Sequence, residues 1–389
     1  MLRWMMILAV AGSLGCGDYG GGGETAADRG GDFGGEPGSC TGPCGEPIPA
    51  GQLTAGEWRD LDDWERWLDL VGGEFAVDHG HWGADTTGRF PVRVSDGTRP
   101  VVDAHVALVD GEGRTEWEAR TDANGEAELF AGVDEPAPGP FTVEVRSGTA
   151  AVTEAIEPEG GRKDIELPGA RSPRRALDLM FVIDTTGSMG DELRYIQAEL
   201  SDVIARAQAD ASQRFDLRVS MNFYRDEGDA YVVRSNDFTT DIDQALRQLG
   251  RQSAGGGGDW PEAVDLALED AVASHDWSDD AAARLLFLVL DAPPHSDQRK
   301  LGRIRAATRL AAQQGVRLVP VSGSGIQKST EVLLRSLGIL TGGTYVFLTD
   351  DSGIGGDHIE PTVGDFQVEF LNDLMARWIV ASVDGRPAD

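Results

Sequence analysis

Cysteines and basic residues are scarce in this sequence of 389 residues, which has 3 cysteines and 34 basic residues against 66 acidic ones. With so few cysteines, and no histidine near them, a metal site built on thiolates is disfavoured. The formal net charge of −32 repels phosphate backbones and disfavours nucleic acid as a partner. Such a charge fits surroundings in which divalent cations screen carboxylates. Apolar residues make up 40% of the chain, so cores can form, and the length predicts two or three domains.

Long hydrophobic runs are also missing. The apolar stretch "MMILAVAGSLG" after Arg3 is too short for a permanent membrane span and has the form of an export signal. It ends at Cys16, and "SLGC" resembles a bacterial lipobox. The resemblance implies that residues 1–16 are a lipoprotein signal peptide cleaved before Cys16. Lipidated Cys16 would then anchor the exported protein at the bacterial cell envelope, at the outer membrane. The alternative is a plain signal peptide with a chance cysteine.

Residues 17–50 form a glycine-rich segment with almost no apolar side chains. Such a segment cannot bury enough surface to fold, so we expect a flexible, disordered tether. It contains Cys40 and Cys44 in "CTGPC", which we expect to form a disulfide in an exported protein. A metal-binding thiol pair is the alternative.

Residues 51–87 are rich in tryptophan. Leu61, Trp64, Leu68 and Val71 recur every three to four residues, which predicts a helix within a linker. Tryptophan stripes can dock partners, but they more often pack onto a neighbouring domain.

Residues 88–170 change to short runs with alternating apolar residues, separated by turn signals such as "SDGTRP" and "DANG". This spacing predicts a small β-sandwich. The stretch resembles the carboxypeptidase-regulatory-like, transthyretin-like sandwich modules of exported bacterial proteins. The resemblance implies a spacer, and we find no catalytic constellation in it.

From residue 177 to residue 385 apolar strands alternate with helical patterns. Near-continuous apolar runs such as "LDLMFVI" and "ARLLFLVL" predict buried parallel strands with helices on both faces. The predicted fold is therefore multidomain, with an N-terminal β-sandwich followed by a doubly wound, Rossmann-like α/β domain with a mainly parallel sheet.

Two of these strands end in an aspartate. Asp184 follows "LDLMFVI" in "IDTTGSMG", and Asp291 follows "LLFLVL". If the strands are neighbours, the carboxylates meet at one crevice and repel each other unless a proton or a cation lies between them. Thr186 and Ser188 can converge with Asp184, and all these groups are hard oxygen donors of the kind that Mg²⁺ prefers.

The region from 177 to 382 resembles a von Willebrand factor A (vWA) domain, and "DTTGSM" resembles its metal-ion-dependent adhesion site, D-x-S-x-S. The resemblance implies that Asp184, Thr186 and Ser188 bind a metal, with threonine in place of the first serine. It also implies that Asp291 is the distal aspartate of the site, which usually acts through a water molecule.

The third part of the site departs from the common pattern, in which a threonine follows a glycine-rich loop. Here "GGGGDWPE" resembles the equivalent loop of integrin β-subunit I-like domains. That resemblance implies Glu262 as a metal ligand with Asp259 close behind it. Asp226 in "YRDEGD" is a further candidate, as an acceptor behind the ligands or as a ligand of an adjacent ion, and a structural turn is its alternative.

The expected cofactor is a divalent cation, Mg²⁺ before Ca²⁺ or Mn²⁺, although so acidic a site favours Ca²⁺ or more than one ion. The resemblance implies a binding and adhesion protein rather than an enzyme, with a protein or glycan partner that presents a carboxylate. Membrane contact is expected through the lipid anchor only. A structural envelope-complex subunit, in which the metal only stabilises the fold, is the first alternative.

A phosphohydrolase with Asp184 as nucleophile is the remote alternative. Such enzymes need a second acid where this chain has Thr186, and a lysine that balances the phosphoryl charge. Lys300 and Lys328 are the lysines of the second half, and neither lies in a phosphate-binding motif. Outside the motif we expect His295 to be solvated, and "TDDSGIGGDH" to be a turn or, alternatively, a structural Ca²⁺ loop.

Overall fold

The computed structural model describes residues 48–157, 161–258 and 260–385. The predicted signal peptide and most of the tether lie outside these ranges. The same is true of the predicted lipidation site Cys16, the cysteine pair Cys40 and Cys44, and the candidate ligand Asp259. None of the helices in the described ranges is both long enough and apolar enough to span a membrane.

The chain begins with one strand and two short helices, which are β1 (Thr54–Trp58), α1 (Trp64–Gly72) and α2 (Ala76–Trp82). Seven strands follow, which are β2 (Arg89–Ser95), β3 (His105–Val109), β4 (Thr115–Arg120), β5 (Glu126–Phe130), β6 (Phe141–Ser147), β7 (Ala150–Ile156) and β8 (Lys163–Glu166).

These seven strands form two small sheets, a three-stranded sheet β5-β2-β8 and a four-stranded sheet β4-β3-β6-β7. Side chains along β6 alternate between buried and more exposed, as its sequence "FTVEVRS" predicts for a strand with one face in a core. The two sheets share that core. Phe90 of β2 packs edge-on against Phe141 of β6, with ring centres 5.1 Å apart. The relationship to carboxypeptidase-regulatory-like modules stays a prediction.

The second half of the chain supplies most of a large sheet and its helices. Its strands are β9 (Ala176–Asp184), β10 (Asp216–Tyr224), β11 (Val233–Arg234), β12 (Ala283–Leu290), β13 (Val316–Ser322), β14 (Tyr345–Leu348) and β15 (Glu369–Phe370). Its helices are α3 (Leu193–Arg214), α4 (Ile242–Gly250), α5 (Val264–Ala273), α6 (Gln298–Gln314), α7 (Lys328–Thr341) and α8 (Leu371–Asp384). Short 3-10 turns lie at Ser188–Gly190 and Asp350–Ser352.

The large sheet has the strand order β11-β10-β9-β12-β13-β14-β1-β15. Five neighbouring strands, from β10 to β14, are parallel. Successive side chains of β9 pack into the hydrophobic cores on opposite faces of the sheet. Val182 packs on the side of α5, α6 and α7, whereas Ile183 packs on the side of α3, α4 and α8. Helices therefore cover both faces of a mainly parallel sheet, which confirms the predicted α/β architecture.

Residues 51–87 differ from the predicted helical linker at their start. The helix α1 is present, but β1 before it pairs antiparallel with β14 and so belongs to the large sheet. The backbone N–H groups of Gly51, Gln52 and Leu53 donate to the carboxylate of Glu199 on α3 at 2.7–3.0 Å. The sequence could not show this strand, because its pairing partners lie almost three hundred residues away and "TAGEW" has no clear alternation.

The helical part of this segment is held by a buried arginine. Arg335 of α7 donates to Asp60 and to Glu331, both at 3.0 Å, and it is fully buried. Its guanidinium carbon lies 5.0 Å from the ring centre of Trp67 and 5.2 Å from that of Phe75. The tryptophan-rich segment therefore packs on its own chain.

Replacing Arg335 with methionine should lower the free energy of unfolding by about 3–5 kcal/mol, because Asp60 and Glu331 stay buried without their cation. Arg146→Met is the matched control, since Arg146 pairs with Glu144 on the surface. It should change the free energy by about 0–1 kcal/mol. Urea unfolding followed by tryptophan fluorescence measures both, and equal losses in the two variants would contradict the account.

Candidate metal centre

The metal motif lies where the order of the parallel strands reverses. Strand β9 has β10 on one side and β12 on the other, so the carboxyl ends of β9 and β12 border a crevice of the kind that binds ligands in such sheets. Asp184 is the last residue of β9, and Asp291 follows β12 directly. Both side chains are buried, with 0% and 3% exposure. The two strands are neighbours, so the carboxylates meet at one edge.

The motif itself folds around Asp184. Its Oδ1 accepts hydrogen bonds from the backbone N–H of Thr186 at 2.8 Å and from the hydroxyl of Thr186 at 2.7 Å. The hydroxyls of Thr186 and Ser188 lie 3.1 Å apart. Three oxygen donors are thus gathered within one short loop, while the buried Oδ2 of Asp184 has no hydrogen-bond partner.

The glycine-rich loop brings Glu262 to the same place. The backbone N–H of Glu262 donates to the carbonyl of Pro293 at 2.9 Å, which ties this loop to the one that begins at Asp291. Glu262 is 2% exposed, and its Oε2 has no hydrogen-bond partner. Gly257 lies directly against it, since a Cβ there would approach Glu262 Oε1 to 2.7 Å. The proposed ligand Asp259 lies outside the described residues.

Asp226 lies beside the group rather than within it. Its Oδ1 is 2.8 Å from Nε2 of His295, and this contact corrects the expectation that His295 is solvated. Asp229, which the sequence reasoning missed although it lies in "YRDEGD", accepts from the backbone N–H groups of Gly257 and Asp226. The contact with Gly257 makes Asp229 a support for the glycine-rich loop, and a metal-site role for Asp226 stays a prediction.

Tyr224 is a further residue that sequence reasoning missed. It ends β10 directly opposite Asp184 in the parallel register, and its hydroxyl is buried beside the Asp184 carboxylate. Burial, and then the charges of Asp184, Asp291 and Glu262, raise the pKa of this phenol well above its usual value. The sequence signal that could have pointed to Tyr224 is its place as the last residue of the strand predicted beside the metal motif.

The carboxylates of the site carry uncompensated charge. Burial raises the pKa of Asp184 to about 6, although hydrogen bonds from Thr186 oppose the rise. Burial and the nearby charge of Asp184 raise the pKa of Asp291 to about 7 and that of Glu262 to about 9. Buried carboxylates that repel one another need a proton or a cation.

The donors fit a hard divalent cation. Asp184, Glu262 and Asp291 each have one buried oxygen without a hydrogen-bond partner, and two hydroxyls lie beside them. Among the described residues, no group of three or more histidine, cysteine, aspartate or glutamate side chains is placed so that it could hold a metal ion. A cation bound here would therefore depend on the hydroxyls as well as the carboxylates. The expectation of more than one ion stays a prediction.

Comparison with known proteins agrees with this geometry. Residues 178–343 match the family model of the von Willebrand factor A domain. This region includes the metal motif, Glu262 and Asp291, and the match supports the predicted vWA domain. Domains of this family are generally interaction modules that often hold a divalent cation.

The chain is also similar to a curated protein of Acanthamoeba polyphaga mimivirus that is named as an ariadne-like RING finger protein. The two are 30% identical over 127 residues, which is 31% of this chain and 11% of the relative. The chain therefore spans only about a tenth of the length of that relative.

The acidic loop after β14 folds back towards the metal motif. Nδ1 of His358 lies 2.8 Å from Asp350 Oδ1, and its Nε2 lies 3.2 Å from Glu192 Oε1 just before α3. Glu192 also accepts the backbone N–H of Ser324. Asp350 therefore pairs with His358. These contacts give no support to the alternative of a structural Ca²⁺ loop.

Gly257 should tolerate no side chain. Its φ of +68° disfavours other residues, and a Cβ would press on Glu262. Gly257→Ala should lower the free energy of unfolding by about 1–2 kcal/mol and weaken cation binding although no ligand is changed. Gly258→Ala is the matched control, since its Cβ would meet nothing within 4 Å. Urea unfolding and calorimetric Mg²⁺ titration test both, and equal behaviour of the two variants would refute the loop geometry.

His358 should stabilise the protein more at low pH. Burial alone would lower its pKa, but the hydrogen bonds and charges of Glu192 and Asp350 outweigh burial and raise the pKa. The contribution is therefore complete below the ordinary histidine pKa of about 6.5 and is lost as pH rises through the raised value. His358→Gln should cost more unfolding free energy at pH 5.5 than at pH 8.5, and Asp350→Asn should reduce that difference. A cost that grows with pH would contradict the assignment.

Proposed function

We propose that this chain is a surface-tethered binding protein whose vWA domain captures a carboxylate of a protein or glycan partner through a bound divalent cation. One observation carries the proposal. At the edge where the strand order reverses, Asp184, Glu262 and Asp291 are buried, and each has one oxygen without a hydrogen-bond partner. Buried charges are normally paired or bound to a metal, so this arrangement supports a cation.

Asp184, Thr186, Ser188 and Glu262 would hold the cation, and Asp291 would act from the neighbouring strand. When bound, the cation supplies an electrophilic centre that can accept one anionic oxygen from outside. The role of the chain itself is to hold the ligand oxygens in place. Thr186 holds Asp184 through two hydrogen bonds, and the hydroxyl of Ser188 lies 3.1 Å from that of Thr186.

The segment that follows the predicted tether is bound to α3. Lipidated Cys16 and the tether of residues 17–50 would hold the protein at a membrane surface. The first described residues after that tether bind Glu199 of α3 through three backbone N–H groups. Helix α3 also begins a few residues after Ser188. A tethered chain would therefore be attached close to the helix that follows the metal motif.

The alternatives receive less support. A nucleophilic role for Asp184 needs an accessible carboxylate and an acid at Thr186, whereas Asp184 is fully buried and accepts two hydrogen bonds from that threonine. A purely structural subunit that uses the tryptophan-rich segment is disfavoured because Trp67 is fully buried against Arg335. We therefore propose a binding protein without enzymatic activity.

Mg²⁺ should stabilise the protein through Asp184 and Ser188. At a free Mg²⁺ concentration 100 times the Kd, the free energy of unfolding should rise by about 2.7 kcal/mol. The double variant Asp184→Ala with Ser188→Ala should gain nothing. Asp351→Ala with Ser352→Ala, the same pair of changes in the acidic loop after β14, should gain as much as the unmodified protein.

Thermal unfolding with and without Mg²⁺, and with excess chelator, measures these gains. Equal stabilisation of both double variants would show that the cation binds elsewhere. Stabilisation of neither the unmodified protein nor the control would refute a metal site in this chain.

A further inference from the structure

Two arginines beside the metal motif form no ion pair within 4 Å among the described residues, although the charge of Arg225 acts on Asp184. Arg225 follows β10, and its guanidinium carbon lies 4.8 Å from the ring centre of Tyr231. Arg234 lies 4.1 Å from the same ring centre. Their guanidinium groups donate to neutral oxygens, the carbonyl of Ser253 and the side chain of Gln252, each at 2.7 Å.

Arg225 and Arg234 belong to the minority of described arginines that form no ion pair. With 66 acidic and 34 basic residues, most arginines find a carboxylate, as Arg218 does in Asp178 and Arg303 does in Asp265. Guanidinium groups bind carboxylates through paired, charge-assisted hydrogen bonds. Arg225 and Arg234 are therefore able to bind an acidic group from outside.

The arginine pair belongs to the metal face. Tyr231 contacts both guanidinium groups through its ring. Its hydroxyl lies 2.7 Å from the hydroxyl of Thr185 in the metal motif. Strand β10, from which Arg225 emerges, lies directly beside β9. The arginines thus flank Asp184 on the β10 side of the sheet.

An exposed tryptophan flanks the motif on the other side. Trp260 is 42% exposed. A Cβ built on Gly325, just after β13, would lie 3.5 Å from the Cη2 of Trp260 and 3.8 Å from the carbonyl oxygen of Asp291. The indole therefore lies on the β12 and β13 side, beside Asp291, with much of its surface open to solvent.

We propose that the metal face binds an acidic peptide segment through three contacts: one carboxylate on the cation, a second acidic side chain on Arg225 and Arg234, and an apolar side chain on Trp260. This inference rests on the proposed function and names its ligand class. The three contacts lie in a row across neighbouring strands, which suits an extended peptide with different side chains along its length.

A glycan is less well matched to this surface. Sugars can stack on tryptophan, but their hydroxyls also need polar side chains beside the ring. Residues 254–258 read "AGGGG" and carry no polar side chain, and Asp259 is the one polar residue between them and Trp260. A Cβ on Gly258 would meet nothing within 4 Å, so backbone groups of this loop are open to a peptide main chain.

The test selects ligands from a random peptide library on the immobilised full chain in Mg²⁺ and recovers them with a chelator. Recovered peptides should be enriched in a pair of acidic residues with an aromatic or aliphatic residue close by. The most frequent peptide is then synthesised and titrated against variants. Trp260→Ala, and separately Arg225→Gln with Arg234→Gln, should each weaken its binding roughly tenfold.

Two control variants test whether the loss of any exposed aromatic ring or any exposed arginine weakens peptide binding. Phe370→Ala removes an aromatic ring of similar exposure, 45%, at the far edge of the sheet. Arg93→Gln removes an exposed arginine from β2. Both should leave the affinity unchanged. Calorimetric Mg²⁺ titration of the Trp260 and arginine variants should show cation binding intact, which separates ligand recognition from loss of the metal.

The outcomes separate this inference from the function on which it rests. Chelator-released peptides whose affinity is the same for Trp260→Ala, the arginine variant and the controls would overturn the inference and leave the proposed function standing. So would metal-dependent binding to acidic glycans on an array with no peptide recovered. Peptides that bind equally well to Asp184→Ala with Ser188→Ala would overturn the proposed function itself.

Discussion

The repulsion among three buried carboxylates is the interaction on which the site depends. Burial raises the pKa of Asp184, Glu262 and Asp291, and the charge of Asp184 adds to the rise for Glu262 and Asp291. A fold keeps such a group only if a proton or a cation compensates it. The hydroxyls of Thr186 and Ser188 add neutral donors beside these carboxylates.

The sequence predicted the parallel sheet well because its apolar strands are encoded locally. An apolar strand that ends in aspartate specifies where its carboxylate lies, and parallel topology brings Asp184 beside Asp291. It could not predict contacts between distant loops. The reach of His358 to Glu192, the pairing of Asp226 with His295 and the position of β1 all depend on tertiary packing that no local pattern records.

The described segments before residue 176, where the parallel strands begin, pack as part of the same unit as the large sheet. Strand β1 extends the large sheet, and Arg335 binds Asp60 in the buried interface. The core of the small sheets is continuous with the α5, α6 and α7 face of the large sheet. A partner bound at the metal face would therefore contact a part of the chain that packs as one unit. Near the start of that unit, the backbone of residues 51–53 is hydrogen-bonded to Glu199 of α3.

The most direct test of the central claim is a crystal structure of the full chain soaked with Mn²⁺, with anomalous scattering used to locate the ion. The account predicts one anomalous peak bordered by Asp184, Thr186 and Ser188, with Glu262 and Asp291 close by. No peak at this crevice, or a peak elsewhere while these carboxylates remain as they are, would contradict it.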